Sequence, residues 1–160
     1  MLMPETPDFL SERLKTEGEK TIAFFAALTP DQWQTLVYTE GAEWTVRNVL
    51  AHFVMAEKGF LKLFANIQSG GPGASKDFDI DRYNASQQEK TRELTPAELL
   101  EQFKVTRAEM ISLVSSFTEA DLNQTGRHPF LGLTSLAEMV KMVYRHNQLH
   151  LRDLRKLAES

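Results

Sequence analysis

The sequence predicts an all-α fold, a four-helix bundle with two long interhelix connections that forms a single domain over residues 1–160. Three observations carry that expectation. Large apolar residues recur at three- and four-residue steps in four separate segments, cap and breaker residues stand between the segments, and no alternating period-two run of useful length occurs. In the first segment Phe9, Leu10, Leu14, Thr21, Ile22, Phe25 and Leu28 make one stripe along a helix of about five turns. Thr29-Pro30-Asp31 stops it, since a threonine can cap and a proline suits the first position of a short helix holding Trp33.

A polar stretch through Gly41 leads to Trp44-Thr45, where Thr45 is a good N-cap for a second long helix carrying Val46, Val49, Leu50, Phe53, Phe60, Leu61 and Phe64. That helix should end near Gln68, because Ser69-Gly70-Gly71-Pro72-Gly73 cannot continue it. Asp77 to Leu94 is polar and reads as a loop running into a solvated helix. Thr95-Pro96-Ala97-Glu98 is a capping box, in which the threonine hydroxyl accepts from the Glu98 N–H and the glutamate reaches back. It opens a third long helix with Leu99, Phe103, Met110, Leu113, Val114 and Phe117 inward. Asn123 to Leu133, with Gly126, Pro129 and Gly132, reads as irregular. Thr134 or Ser135, the latter paired with Glu138, caps a fourth helix that runs almost to the end.

Composition narrows the function classes. There is no cysteine, which excludes disulfide scaffolds and cysteine nucleophiles, and a thiol used here must come from outside. The net charge is −4 with the basic residues scattered, so the footprint of a nucleic-acid binder is missing. No signal-like N-terminus and no membrane-length apolar run occurs, so a cytoplasmic location is expected.

Among four histidines, His146 and His150 are four apart on the last helix, one above the other at ~1.5 Å rise and ~100° per residue. They interrupt the stripe of Leu136, Met139, Val143, Leu154 and Leu157, whereas Lys141, Arg145, Gln148, Arg152 and Lys156 fall elsewhere on the helix. His52 stands at the border of the second helix's apolar face. Two readings stay open on spacing alone: hydrogen-bonded histidines at the edge of the core, or three imidazoles sharing one cation that offsets their burial. HExxH, ExxH, GxSxG and phosphate-loop patterns are all missing, which removes zincin, di-iron, serine-hydrolase and nucleotide-loop readings.

Trp44-Thr45-Val46-Arg47-Asn48-Val49-Leu50-Ala51-His52, followed by Glu57, resembles the DinB-like superfamily of four-helix metal proteins. So does His128-Pro129-Phe130-Leu131-Gly132-Leu133-Thr134 leading to His146-x-x-x-His150. The resemblance covers residues 8 to 157. It implies a divalent metal, nickel or zinc, held by His52, His146 and His150, and a homodimer formed through helix faces. It also points to relatives such as thiol S-transferases and the metal-binding domain of mycothiol-dependent maleylpyruvate isomerase.

Three neutral imidazoles leave a coordination position open, as catalytic sites do. The expected function is therefore a metal-dependent hydrolase or thiol S-transferase acting on a small molecule, with a low-molecular-weight thiol as a candidate co-reactant. The alternative is a non-catalytic module that uses the same site to bind or sequester a small molecule. A third reading is purely structural, with the histidines satisfied by protein groups. Glu57 is the candidate base or ligand-orienting carboxylate, set against a boundary glutamate paired near Lys58 or Lys62. Asp81, Tyr83 and Asn84 are candidate polar groups on the long connection. His128 is expected at the rim, outside the ligand set, and Met55, Met139 and Met142 as core filler. Ligation needs neutral imidazoles, so metal affinity should fall as the pH drops through about 6.5.

Overall fold

In the computed structural model, which describes residues 5–158, the chain runs α1 (Pro7–Ala26), a one-turn α2 (Pro30–Trp33), β1 (Leu36–Tyr38), β2 (Trp44–Thr45) and α3 (Val46–Gln68). It continues through α4 (Ile80–Lys90), α5 (Pro96–Ser115), α6 (Glu119–Asn123), β3 (Thr125–His128), β4 (Gly132–Ser135) and α7 (Leu136–Ala158). Residues 1–4 and 159–160 of the expected domain lie outside the described part. The four long helices α1, α3, α5 and α7 are the predicted bundle. Caps set their starts as read from sequence: Thr45 with Asn48 opens α3 and Thr95 with Glu98 opens α5, each as a reciprocal capping box.

Around the bundle α1 packs on α5 and α7, and α3 packs on the same two, so α1 and α3 occupy opposite corners. Successive helices on a diagonal need a crossover, and here the crossovers are structured. The segment between α1 and α3 holds α2 and the antiparallel β1–β2 ribbon, and the one between α5 and α7 holds α6 and the β3–β4 hairpin.

Neither ribbon was expected, and the stretch read as irregular at Asn123 to Leu133 is mostly hairpin. Strands of two to four residues are too short for period-two alternation to register. The hairpin closes through Pro129, Phe130 and Leu131 onto Gly132, whose φ of 77° is the left-handed conformation such a loop needs. The loop after α3 joins it: Arg127 N–H donates to Pro72 O (2.9 Å) and Ala74 N–H to Arg127 O (2.7 Å). Gly73 sits at φ 86°, and a Cβ there would lie 2.6 Å from the Arg127 backbone. The α3–α5 and α5–α7 connections are thus sewn into one wall.

The apolar interior divides in two. One half gathers Leu14, Phe64, Met110, Leu136 and Val143, the other Phe25, Phe53, Phe103, Leu151 and Leu154. Between them lies a buried polar layer centred on Arg107 of α5. Its Nε and Nη2 donate to both Glu57 oxygens at 2.8 Å, Nη2 also to Asn147 Oδ1 at 2.5 Å, and Nη1 to Leu14 O at 2.9 Å. Gly18 of α1 leaves room for the guanidinium, which a Cβ would approach to 3.0 Å. One residue therefore ties all four helices, and it fixes the azimuth of α3 and α7 in particular. Lys141, expected off the core stripe, is buried as well, its ammonium held by Glu5 and Glu138.

Candidate metal centre

The residues of the Trp44–His52 stretch each do local work that aims His52. Thr45 caps α3. Arg47 donates to the carbonyls of Thr91, Arg92 and Leu94, clamping the C-terminal end of α4. Asn48 donates to Gln88 Oε1 (2.9 Å), whose amide returns a bond to Asn48 O (2.8 Å). Trp44 packs on the His52 ring at 5.0 Å between centroids. About two turns into α3, His52 then meets His146 and His150 of α7.

The three Nε2 atoms converge. His52 Nε2 lies 2.9 Å and His150 Nε2 3.1 Å from His146 Nε2, with all three within 4.8 Å of one another. His150 Nδ1 is 2.7 Å from the Tyr38 hydroxyl, which itself lies 2.7 Å from Asp153 Oδ2. A carboxylate only accepts, so Tyr38 donates to Asp153 and accepts the Nδ1–H of His150. That assigns the His150 proton to Nδ1 and leaves a lone pair on Nε2, facing its neighbours.

A single N–H on His146 cannot satisfy two facing nitrogens at once, so the three neutral rings alone leave a lone pair opposed. Donors bound to one cation at ~2.0–2.1 Å are separated by about 2.9–3.4 Å, which brackets the two short spacings. The donor set fits a divalent ion of the nickel or zinc type. The Asp153–Tyr38–His150 chain is the kind of outer support that orients metal-binding imidazoles.

Electrostatics agree with neutral rings. Burial, with a smaller contribution from the His150 charge, lowers the His52 pKa to about 3. Burial and the charges of His52, His150 and His128 hold His146 well below its ordinary range. His150 is lowered by burial against the opposing pull of Asp153. Burial and the Asp153 hydrogen bond push the Tyr38 hydroxyl up, so it remains a donor.

The histidines lie in a cleft of about 1200 Å³ bounded by α3, α4, α7 and the sewn connections. Of the candidate polar groups Tyr83 and Asn84 line it and Asp81 does not; of the methionines expected as core filler, Met139 is in the core, whereas Met55 and Met142 line the cleft. Two sequence expectations need correction. Glu57 is 2% exposed and does not line the cleft, and both its oxygens accept from Arg107, so it is paired inside the bundle away from the cleft and its partner is neither Lys58 nor Lys62. His128 is not a rim residue but 2% exposed, stacked on Phe60 at 5.2 Å and lining the same cleft.

Sequence reasoning missed Tyr38, Asp153, Arg107 and Asn147. Asp153 was within reach, three residues beyond His150 and on the same face. Tyr38 carried no local signal, being 112 residues from the histidine it supports.

The profile of the DinB superfamily matches residues 6–154. No curated protein matches the chain significantly. Among solved structures, YfiT from Bacillus subtilis, described as a probable metal-dependent hydrolase with an unusual four-helix bundle topology, superposes with TM-score 0.80 at 18% identity, over 99% of this chain and 89% of YfiT. The mycothiol-dependent maleylpyruvate isomerase gives 0.78 at 13% identity, over 95% of this chain but only 61% of the isomerase. The colibactin self-resistance protein ClbS, solved in complex with double-stranded DNA, gives 0.74 at 14%, over 97% and 98%. At these identities the superpositions establish the bundle, and the profile match across nearly the whole length establishes the lineage: the chain belongs to the DinB superfamily.

Proposed function

We propose that the protein is a metal-dependent enzyme acting on a small molecule, a hydrolase or a thiol S-transferase, with nickel or zinc held by His52, His146 and His150. The observation that carries this reading is the convergence of three Nε2 atoms in a large cleft. A bound ion with an open position would ionise a water or an incoming thiol near neutral pH. The chain's own residues do the rest. Tyr38 and Asp153 hold the His150 proton on Nδ1, and the Arg107 layer sets the rotation of the two helices that carry the three imidazoles. In this reading Glu57 is a positioning residue acting through Arg107. Tyr83 and Asn84 offer polar contacts to a substrate, and the description of YfiT as a probable metal-dependent hydrolase supports the hydrolytic branch.

One observation favours the second reading, a binding module without turnover. Among the described residues the only carboxylate lining the cleft is Glu109, and no carboxylate hydrogen-bonds any of the three histidines directly. Homodimeric assembly and a cytoplasmic location complete the proposal, the first resting on the resemblance; no helix among the described residues is long and apolar enough to cross a membrane. DNA stays a partner to test, because ClbS was solved with it, although a net charge of −4 argues for a small molecule.

The test is elemental analysis of untagged protein purified without a metal column, compared with His52→Ala and His150→Ala, with circular dichroism to check helix content. About one nickel or zinc per chain, lost in both folded variants, is the expected result. No metal after incubation with either salt would overturn the proposal.

A further inference from the structure

His128 is the buried polar group that the metal site leaves unused. Its ring lies flat on Phe60, interplanar angle 25°, and its Nδ1 accepts the backbone N–H groups of Phe130 and Leu131, both at 3.0 Å. A ring nitrogen that accepts N–H bonds carries no proton, so the hairpin turn assigns the single proton of the neutral ring to Nε2. That Nε2–H is buried and has no acceptor among the described residues, although buried donors are almost always paired. The residue is 2% exposed and lines the same cleft as His52, His146 and His150. A rigid donor without a protein acceptor among the described residues, on a ring that lines a ligand-sized cleft, is a candidate recognition element once a ligand displaces the side chains that cover it.

The walls around it say what kind. Met55, Phe60, Leu63, Phe78, Met142 and Leu149 line the cleft with apolar surface. Such walls favour an apolar body; Lys58, Lys62 and Lys90 line the cleft as well, and a ring that only donates needs an acceptor. We propose that the cleft takes a carbonyl compound with an apolar or aromatic body, whose carbonyl oxygen accepts from His128 Nε2–H. This rests on the metal reading only in placing that carbonyl in the same cleft as the three histidines. His128 orients the substrate and draws electron density onto its oxygen, with its own protonation unchanged.

Acetophenone and ethylbenzene are matched probes that differ in the carbonyl. Binding of each is measured by calorimetry to zinc-incubated protein and again after chelation, for the wild type and for His128→Phe, which keeps the stack on Phe60. The wild type should prefer the ketone, and the variant should lose about tenfold of that preference in both conditions. Because the variant also strands two backbone N–H groups, nitrogen-15 NMR of the wild type gives a second readout. His128 should show the Nε2-protonated tautomer, and its Nε2 proton should move downfield with acetophenone and not with ethylbenzene.

An unchanged preference in the variant, an Nδ1-protonated tautomer, or the same response to both probes would overturn the proposal. Failure of the two readings is distinguishable. Protein that binds no zinc but keeps the His128-dependent preference refutes the metal site alone, and protein that binds zinc without the preference refutes the role of His128.

Discussion

Replacing Tyr38 by phenylalanine removes one oxygen atom and cuts the chain from Asp153 to His150. Two 2.7 Å hydrogen bonds disappear, one of them to a carboxylate, while the ring keeps its edge contact with Trp44 at 6.5 Å. A hydrogen bond to a charged group contributes about 1.5–3 kcal/mol, and partners behind metal-binding histidines affect affinity about 10–100-fold. Tyr38 is only partly buried, so water can replace part of what is lost, and the lower end of the range applies: about tenfold weaker zinc binding, or ~1.4 kcal/mol. The assay is competition against a zinc-chelating dye at pH 7.5, with urea unfolding of the metal-free protein alongside to separate an affinity effect from a stability effect. Affinity within about twofold of wild type would refute the reasoning, and would mean that the His150 proton is placed by something other than Tyr38.

Arg107→Met should cost about 3–5 kcal/mol in urea unfolding, because it leaves the Glu57 carboxylate buried without its partner; adding Glu57→Leu should recover much of the loss. A single-variant cost below about 1 kcal/mol would contradict the central role given to that layer. The histidine cluster makes an acid prediction of definite sign. His52 is depressed from 6.5 to about 3 by folding, so its contribution is complete above pH 6.5 and is lost as the pH falls toward 3, at up to ~1.4 kcal/mol per unit. Metal-free protein should therefore have a lower urea midpoint at pH 5 than at pH 7, with less of a drop in His52→Phe; an equal drop would assign the effect elsewhere. The same burial moves proton competition for the metal below the pH of about 6.5 that free imidazoles suggest.

The bundle was legible because its evidence is local: stripes at helical spacing in all four long helices, an N-cap at Thr45, a capping box at Thr95 and a glycine–proline break after Gln68. His146 and His150 were legible for the same reason, since four residues on one helix is a local geometry. What stayed hidden was pairing at long range. Tyr38 reaches His150 through a two-stranded ribbon too short to show periodicity, and Arg107 reads as one more charge on α5 until Glu57, Asn147 and Leu14 O are seen around it. His128 was misjudged for a different reason. A histidine before a proline in a loop looks solvated, whereas the turn folds back so that its own N–H groups hold the ring.

The seam at Gly73 and Arg127 also bears on how this scaffold can change its ligand. The three converging imidazole nitrogens come from two helices anchored in the core, while one wall of the cleft comes from two surface connections held to each other by backbone hydrogen bonds. Backbone pairing is indifferent to most side chains, so Phe78, Phe130 and the residues around them can be exchanged while the seam holds and the helices stay still. Gly73 is the exception, because no Cβ fits there. A library that varies segments 75–78 and 129–131 while fixing Gly73, the α4 cap Asp79 and the helices would explore ligand range separately from chemistry.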